Sequence, residues 1–182
     1  DPGALGVRGS YEKKLNLDLS LLAKAKLEKA GAKVMMTRIT DIDVAGAKST
    51  DREELSARAQ VGNRNNAGVF ISVHHNSSVN REATGTTTYF FAKTIFDGEL
   101  ARSLQNAMVR SGGLLDKGAR TANFFVVKNT VMPAALLEVG FMSNPQEEQI
   151  LNDPAFQDKI AQAIVDGLEQ FFLQAAKMRG EQ

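Results

Sequence analysis

The chain carries two histidines, His74 and His75, adjacent and just past the run Val69-Phe70-Ile71-Ser72-Val73. A short, almost wholly apolar run is the signature of a strand covered on both faces, and ligand sites in layered α/β sheets gather at the C-terminal ends of strands. Successive strand residues point to opposite faces, so at most one of the pair serves a given site. An ordinary strand-end histidine, hydrogen-bonded or exposed, fits the same residues. Glu138 interrupts Ala135-Leu136-Leu137 and Val139, where an isolated carboxylate carries a desolvation cost of several kcal/mol. The alternatives are an edge strand with Glu138 facing water, or an ion pair with Arg120 or Arg38. Glu12 falls in the first turn of the first helix, where the helix dipole by itself favours a carboxylate. One imidazole with two glutamates matches the nitrogen and oxygen ligands of catalytic zinc sites, which keep an open position. A metal hydrolase also needs an unligated carboxylate as base.

The elements that must position these groups alternate between helix and strand. Ser10 is placed to cap a helix running to about Ala30, with Leu15, Leu19, Leu22 and Leu27 as its apolar stripe. Gly31 sits where a helix C′ residue is expected, and Lys33 to Thr37 reads as a strand. Asp41, Asp43, Gly46 and Ser49 mark a loop, and a second helix fits Asp51 to about Asn65, with Leu55, Ala59 and Val61 inward. Thr86 to Phe91, Phe124 to Val127 and Ala135 to Val139 read as further strands, and Asp97 to about Arg110 as a helix ended by Gly112-Gly113. Pro145 and Pro154 suit the first turns of a short and a long helix, the latter burying Phe156, Ile160, Ile164, Leu168 and Phe171. The alternation predicts an α/β layered sheet.

Composition narrows the function. The 182 residues suit a single domain, with 43% apolar and 24% charged residues as in ordinary globular chains. A net charge of +1 leaves no basic excess for nucleic acid or an anionic membrane surface. Without cysteine, disulfides and thiolate metal sites are excluded. No apolar run approaches the roughly 18 residues that span a bilayer. The opening Asp1-Pro2-Gly3 is neither an initiator methionine nor a signal peptide, so the chain reads as a fragment of a longer product.

Four segments occur in a telling order: Asp1-Pro2-Gly3-Ala4, Gly9-Ser10-Tyr11-Glu12-Lys13, Ser72-Val73-His74-His75-Asn76, and Pro133-Ala134-Ala135-Leu136-Leu137-Glu138-Val139-Gly140-Phe141-Met142-Ser143-Asn144. Together with Thr37-Arg38 and Ala163-Ile164-Val165-Asp166-Gly167, they resemble the catalytic domain of the zinc-dependent N-acetylmuramoyl-L-alanine amidases of bacterial cell walls, over essentially the whole chain. The resemblance implies a single, mostly parallel twisted sheet with helices on both faces, lacking the family's first strand. It implies one catalytic domain over residues 1–182, incomplete at its N-terminus. It also implies that Glu12 and His74 are Zn²⁺ ligands and Glu138 the catalytic carboxylate. The family's third protein ligand is a histidine in a Gly-His-Gly-Gly-type segment, which would lie upstream of Asp1. The implied substrate is peptidoglycan, cut between N-acetylmuramic acid and the L-alanine of the stem peptide, by an exported, monomeric protein of the periplasm or cell wall. The rival expectation is a non-catalytic peptidoglycan-binding domain that has lost its metal, and a third is a zinc peptidase cutting within the stem peptide. Relatives with an added helical lid set one more expectation: the 43 residues from Gly85 to Val127 leave no room for a long insert, so the groove should be open.

Overall fold

The fold is taken from a computed structural model that describes residues 2–180; Asp1, which belongs to the first of the four segments, lies outside the described residues. Helix α1 spans Glu12–Lys29, α2 Asp51–Arg64, strand β1 Phe70–Asn76, β2 Thr86–Phe90, α3 Asp97–Gly112, β3 Asp116–Thr121, α4 Phe125–Asn129, β4 Ala134–Phe141, α5 Pro145–Leu151 and α6 Pro154–Met178. The described strands form one sheet in the order β1-β4-β2-β3, parallel for β1/β4 and β2/β3 and antiparallel for β2/β4.

Strand alternation sorts the core into two layers. Ala135, Leu137 and Val139 of β4 face a cluster built from Leu15 and Leu19 of α1, Leu100, Leu104 and Met108 of α3, and Phe156, Ile160, Ile164, Leu168 and Phe171 of α6. Ala134 and Leu136 face the other way, onto Phe70, Val126, Val127 and Met132, with Leu55 of α2 packed against them. Helices therefore cover both faces, and all five apolar residues expected inward on the last helix are buried.

Three expectations fail for physical reasons. Lys33 to Thr37 forms no strand, because a β-type sequence becomes a strand only through a ladder and these residues have none among the described residues. Phe124 to Val127 is not a strand either. Phe125–Asn129 is helical, with Lys128 N donating to Phe124 O at 3.1 Å and Thr130 Oγ1 to Val126 O at 2.9 Å, while Val126 and Val127 enter the second core layer. Here tertiary packing overrides β-branched propensity. The strand the sequence hides is β3, Asp-Lys-Gly-Ala-Arg-Thr, a polar edge strand without an apolar face. Ser10 is also not the cap of α1. Tyr11 holds that position, and the Ser10 hydroxyl accepts from Asn152 Nδ2 at 2.8 Å.

A close backbone contact between two helices carries a stability prediction. A Cβ on Gly167 of α6 would lie 2.9 Å from Leu104 Cα and 3.1 Å from Ser103 O of α3. Alanine gains about 1 kcal/mol of helix propensity, but overpacking a backbone contact costs roughly 1–3 kcal/mol. Gly167→Ala should thus be net destabilising, read as a lower urea midpoint at unchanged m-value; an equal or higher midpoint would contradict the close packing.

Candidate active site

The site forms where the start of α1 meets the end of β1. Glu12 opens the helix, with its N–H bound to Ala4 O at 2.9 Å and its carboxylate folded back on the loop before it. Ala4 N donates to Glu12 Oε2 at 2.9 Å and Asn16 Nδ2 to Oε1 at 3.1 Å. Gly3, at φ +68°, permits this approach, since a Cβ there would stand 2.5 Å from Glu12 Oε2. His74 reaches the same carboxylate, with Nδ1 at 2.7 Å from Oε1. Two side chains 62 residues apart are thus in direct contact. Burial raises the Glu12 pKa, but the hydrogen bonds from His74 and Ala4 N outweigh it and hold the group at about 2. The imidazole of His74 keeps 29% of its side-chain surface exposed, so it is reachable from solvent.

The neighbouring histidine takes the opposite face. His75 is buried with Nδ1 at 2.7 Å from Asn16 Oδ1. Burial lowers its pKa to about 4, so it is neutral and donates to the amide oxygen. Asn16 therefore joins the two histidine environments, a role its place one turn after Glu12 only hints at.

Glu138 comes from the centre of the sheet. Strand β4 lies between β1 and β2, with Glu138 in register beside His74 and opposite Thr87. Paired residues of parallel strands project to the same face, which puts Glu138 on the side of His74. The edge-strand alternative is ruled out. So are the ion pairs: Arg120 Nε binds Lys117 O at 2.7 Å, and Arg38 binds Lys13 O and Thr40 O. Among the described residues, Glu138 Oε2 is a buried oxygen without a hydrogen-bond partner. Burial pushes its pKa to about 7, an effect that the His74 ring opposes and Glu12 assists. Asn76 turns inward on its own chain, accepting from Ser77 N at 2.8 Å, and acts as a strand-end cap.

The residues missed by sequence reasoning are Glu147 and Glu148, at the start of α5. Glu147 accepts from Phe141 N at 2.6 Å and Gly85 N at 2.7 Å, and also bonds the Thr84 hydroxyl, tying the end of β4 to the start of β2. Glu148 accepts from Arg8 N at 2.6 Å and Ser10 N at 3.1 Å. In sequence, two acids in a first helical turn read as dipole complements, and only their burial distinguishes them.

As a metal centre, the arrangement offers two donors in contact, Glu12 and His74, and among the described residues no group of three His, Cys, Asp or Glu side chains converges. A carboxylate against an imidazole, beside an orphaned buried oxygen, is nevertheless a donor set that suits Zn²⁺. The stretch from Gly85 to Val127 is taken up by the end of a turn, β2, α3, β3 and the start of α4, with no long inserted lid.

The sequence pattern of the N-acetylmuramoyl-L-alanine amidases matches residues 1–170. The chain belongs to this amidase family. Among its relatives, the germination-specific N-acetylmuramoyl-L-alanine amidase of Bacillus subtilis is 32% identical over 178 residues, covering 94% of this chain and 75% of that protein. The probable cell wall amidase LytH of Staphylococcus epidermidis is 36% identical over 90% of this chain, which spans 50% of LytH. The catalytic domain of the amidase CwlV from Bacillus (Paenibacillus) polymyxa var. colistinus superposes with a TM-score of 0.85 at 36% identity, covering 94% of this chain and 91% of that one. The α/β amidase sheet with helices on both faces is thus the architecture of this chain as well.

The titrations of Glu138 and His75 have opposite signs. The raised Glu138 pKa contributes stability that is present below about 4.5 and lost as pH rises through about 7. The lowered His75 pKa contributes stability that is present above about 6.5 and lost as pH falls through about 4. The two oppose each other over part of this range, so the difference between parent and Glu138→Gln isolates Glu138. In zinc-free protein, Glu138→Gln should gain stability relative to the parent from pH 5 to pH 7.5, measured by thermal melts. A constant difference across that range would contradict the burial of the carboxylate.

Proposed function

We propose that the chain is the catalytic part of a zinc hydrolase that cleaves the amide between the lactyl group of N-acetylmuramic acid and the L-alanine of the stem peptide. The amidase class follows from the family; the metal, the bond and the residue roles are the proposal. The observation that carries it is the Glu12–His74 contact beside a Glu138 oxygen that is buried and unpartnered. Glu12 and His74 would hold Zn²⁺ together with a histidine ahead of Asp1. Zinc, when bound, polarises the scissile carbonyl and lowers the pKa of water towards about 7.

The chain's own residues do the rest. Ala4 N and Asn16 donate to Glu12 and keep it ionised, as a ligand must be. Glu138 takes a proton from the attacking water at Oε2 and returns it to the departing L-alanine nitrogen. A pKa near 7 suits a group that must both accept and release a proton. Water's oxygen ends on the lactyl carboxyl and its protons on the carboxyl group and the amine. The site of action is the cell wall.

Digestion of purified peptidoglycan by the full-length protein with zinc tests this reading. The expected products are glycan strands with free lactyl carboxyls and intact stem peptides with a new N-terminal L-alanine. New termini inside the stem peptide would make the protein a peptidase. Wall binding without hydrolysis, in a full-length protein that takes up no zinc, would make it a non-catalytic binding module.

A further inference from the structure

The loop that presents Glu12 is held from the far end of the chain. Residues 4–12 fold back on themselves, with Leu5 bridging Tyr11, Gly6 N on Ser10 O at 2.8 Å and Glu12 N on Ala4 O at 2.9 Å. The concave side of this loop is filled by the Glu148 carboxylate, fully buried and bound to Arg8 N and Ser10 N. The fit leaves no slack, because a Cβ on Gly6 would lie 2.1 Å from Glu148 Oε1 and 2.5 Å from its Cδ. Gly6 is not among the glycines at positive φ, so the requirement for glycine there comes from Glu148 and not from the backbone. Arg8 N and Ser10 N are four and two residues from Glu12, and both point inward onto this anion.

We propose that Glu148 is a positioning residue: its carboxylate folds the loop of residues 4–12 so that Glu12 is set against His74 for metal binding. The inference rests on the reading of Glu12 and His74 as the metal pair. Glutamine in place of Glu148 retains one acceptor but turns an N–H₂ group towards a backbone donor, so one end of the loop is released. Outer partners of metal ligands typically contribute about 10–100-fold to affinity.

The test is zinc affinity of the full-length protein, by competition with a chromophoric chelator, well below the unfolding temperature of every variant. Glu148→Gln should weaken zinc binding about 10–100-fold. A purely structural role would not do this, and Asp97→Asn supplies the comparison. Asp97 is an equally buried carboxylate that binds Lys93 N, Thr94 N and Ala134 N, so its loss should lower the unfolding temperature and leave zinc affinity unchanged. Equal weakening by Asp97→Asn, or parent affinity in Glu148→Gln, overturns the proposal. If Glu148→Gln does not fold, Gly6→Ala decides, since it displaces the same carboxylate; parent affinity there also overturns it. Glu12→Ala separates the two levels. Parent affinity in Glu12→Ala removes the metal-pair reading itself, whereas weak binding in Glu12→Ala with parent binding in Glu148→Gln removes the positioning role alone.

Discussion

Replacing Glu138 by glutamine is expected to lower kcat by about 10²–10⁴-fold while zinc content and fold persist. The size of the effect follows from what is removed. Glutamine matches glutamate in volume and keeps one oxygen acceptor, but it cannot take a proton from water at any working pH. The position tolerates the change because its Oε2 has no partner among the described residues, and Arg120 and Arg38 are engaged elsewhere. Loss of the charge also relieves the desolvation that raises the pKa to about 7, which offsets the cost of burying an amide N–H₂. Metal analysis and turnover on the same preparation check the result. A variant that hydrolyses peptidoglycan at the parent rate would refute the role, and one that arrives without zinc would make Glu138 a ligand instead of a base.

How far the site is legible in sequence depends on how local each signal is. Strand β4 and the odd placement of Glu138 are visible because four apolar neighbours surround one carboxylate. Its central position and unpartnered oxygen are not, since both depend on which strands flank β4. The strand's two-residue period allows at most one of the two histidines at a given site, the resemblance to the amidases selects His74, and His75 turns to the opposite face, onto Asn16. The α1 and α6 stripes are plain because a 3.6-residue period extends over many turns. Shorter elements fail. Phe124 to Val127 is too brief for period to separate strand from helix, and β3 carries its edge-strand polarity as if it were a loop. Glu148 is invisible for another reason: its partners, Arg8 N and Ser10 N, are backbone groups 138 to 140 residues away. Nothing in the side-chain pattern encodes a bond to main-chain nitrogen at that distance.

The replacement of His74 by alanine should have the larger effect, because it removes one proposed metal donor and the partner of the other together. With His74 gone, Glu12 keeps Ala4 N and Asn16 Nδ2, so the loop and helix α1 remain folded. What is lost is the imidazole nitrogen 2.7 Å from Oε1, leaving the described residues with a single donor at this point. Zinc affinity should therefore fall by more than the roughly 10–100-fold typical of an outer partner, and hydrolysis should fall with it. The two variants then separate by their response to metal. Excess zinc should partly restore turnover in His74→Ala by mass action, whereas Glu138→Gln, already loaded, should not respond. Equilibrium dialysis with metal analysis gives affinity, and turnover across a zinc series gives rescue. Parent zinc affinity in His74→Ala would place the metal elsewhere and leave the Glu12–His74 contact as a hydrogen bond that only joins α1 to β1.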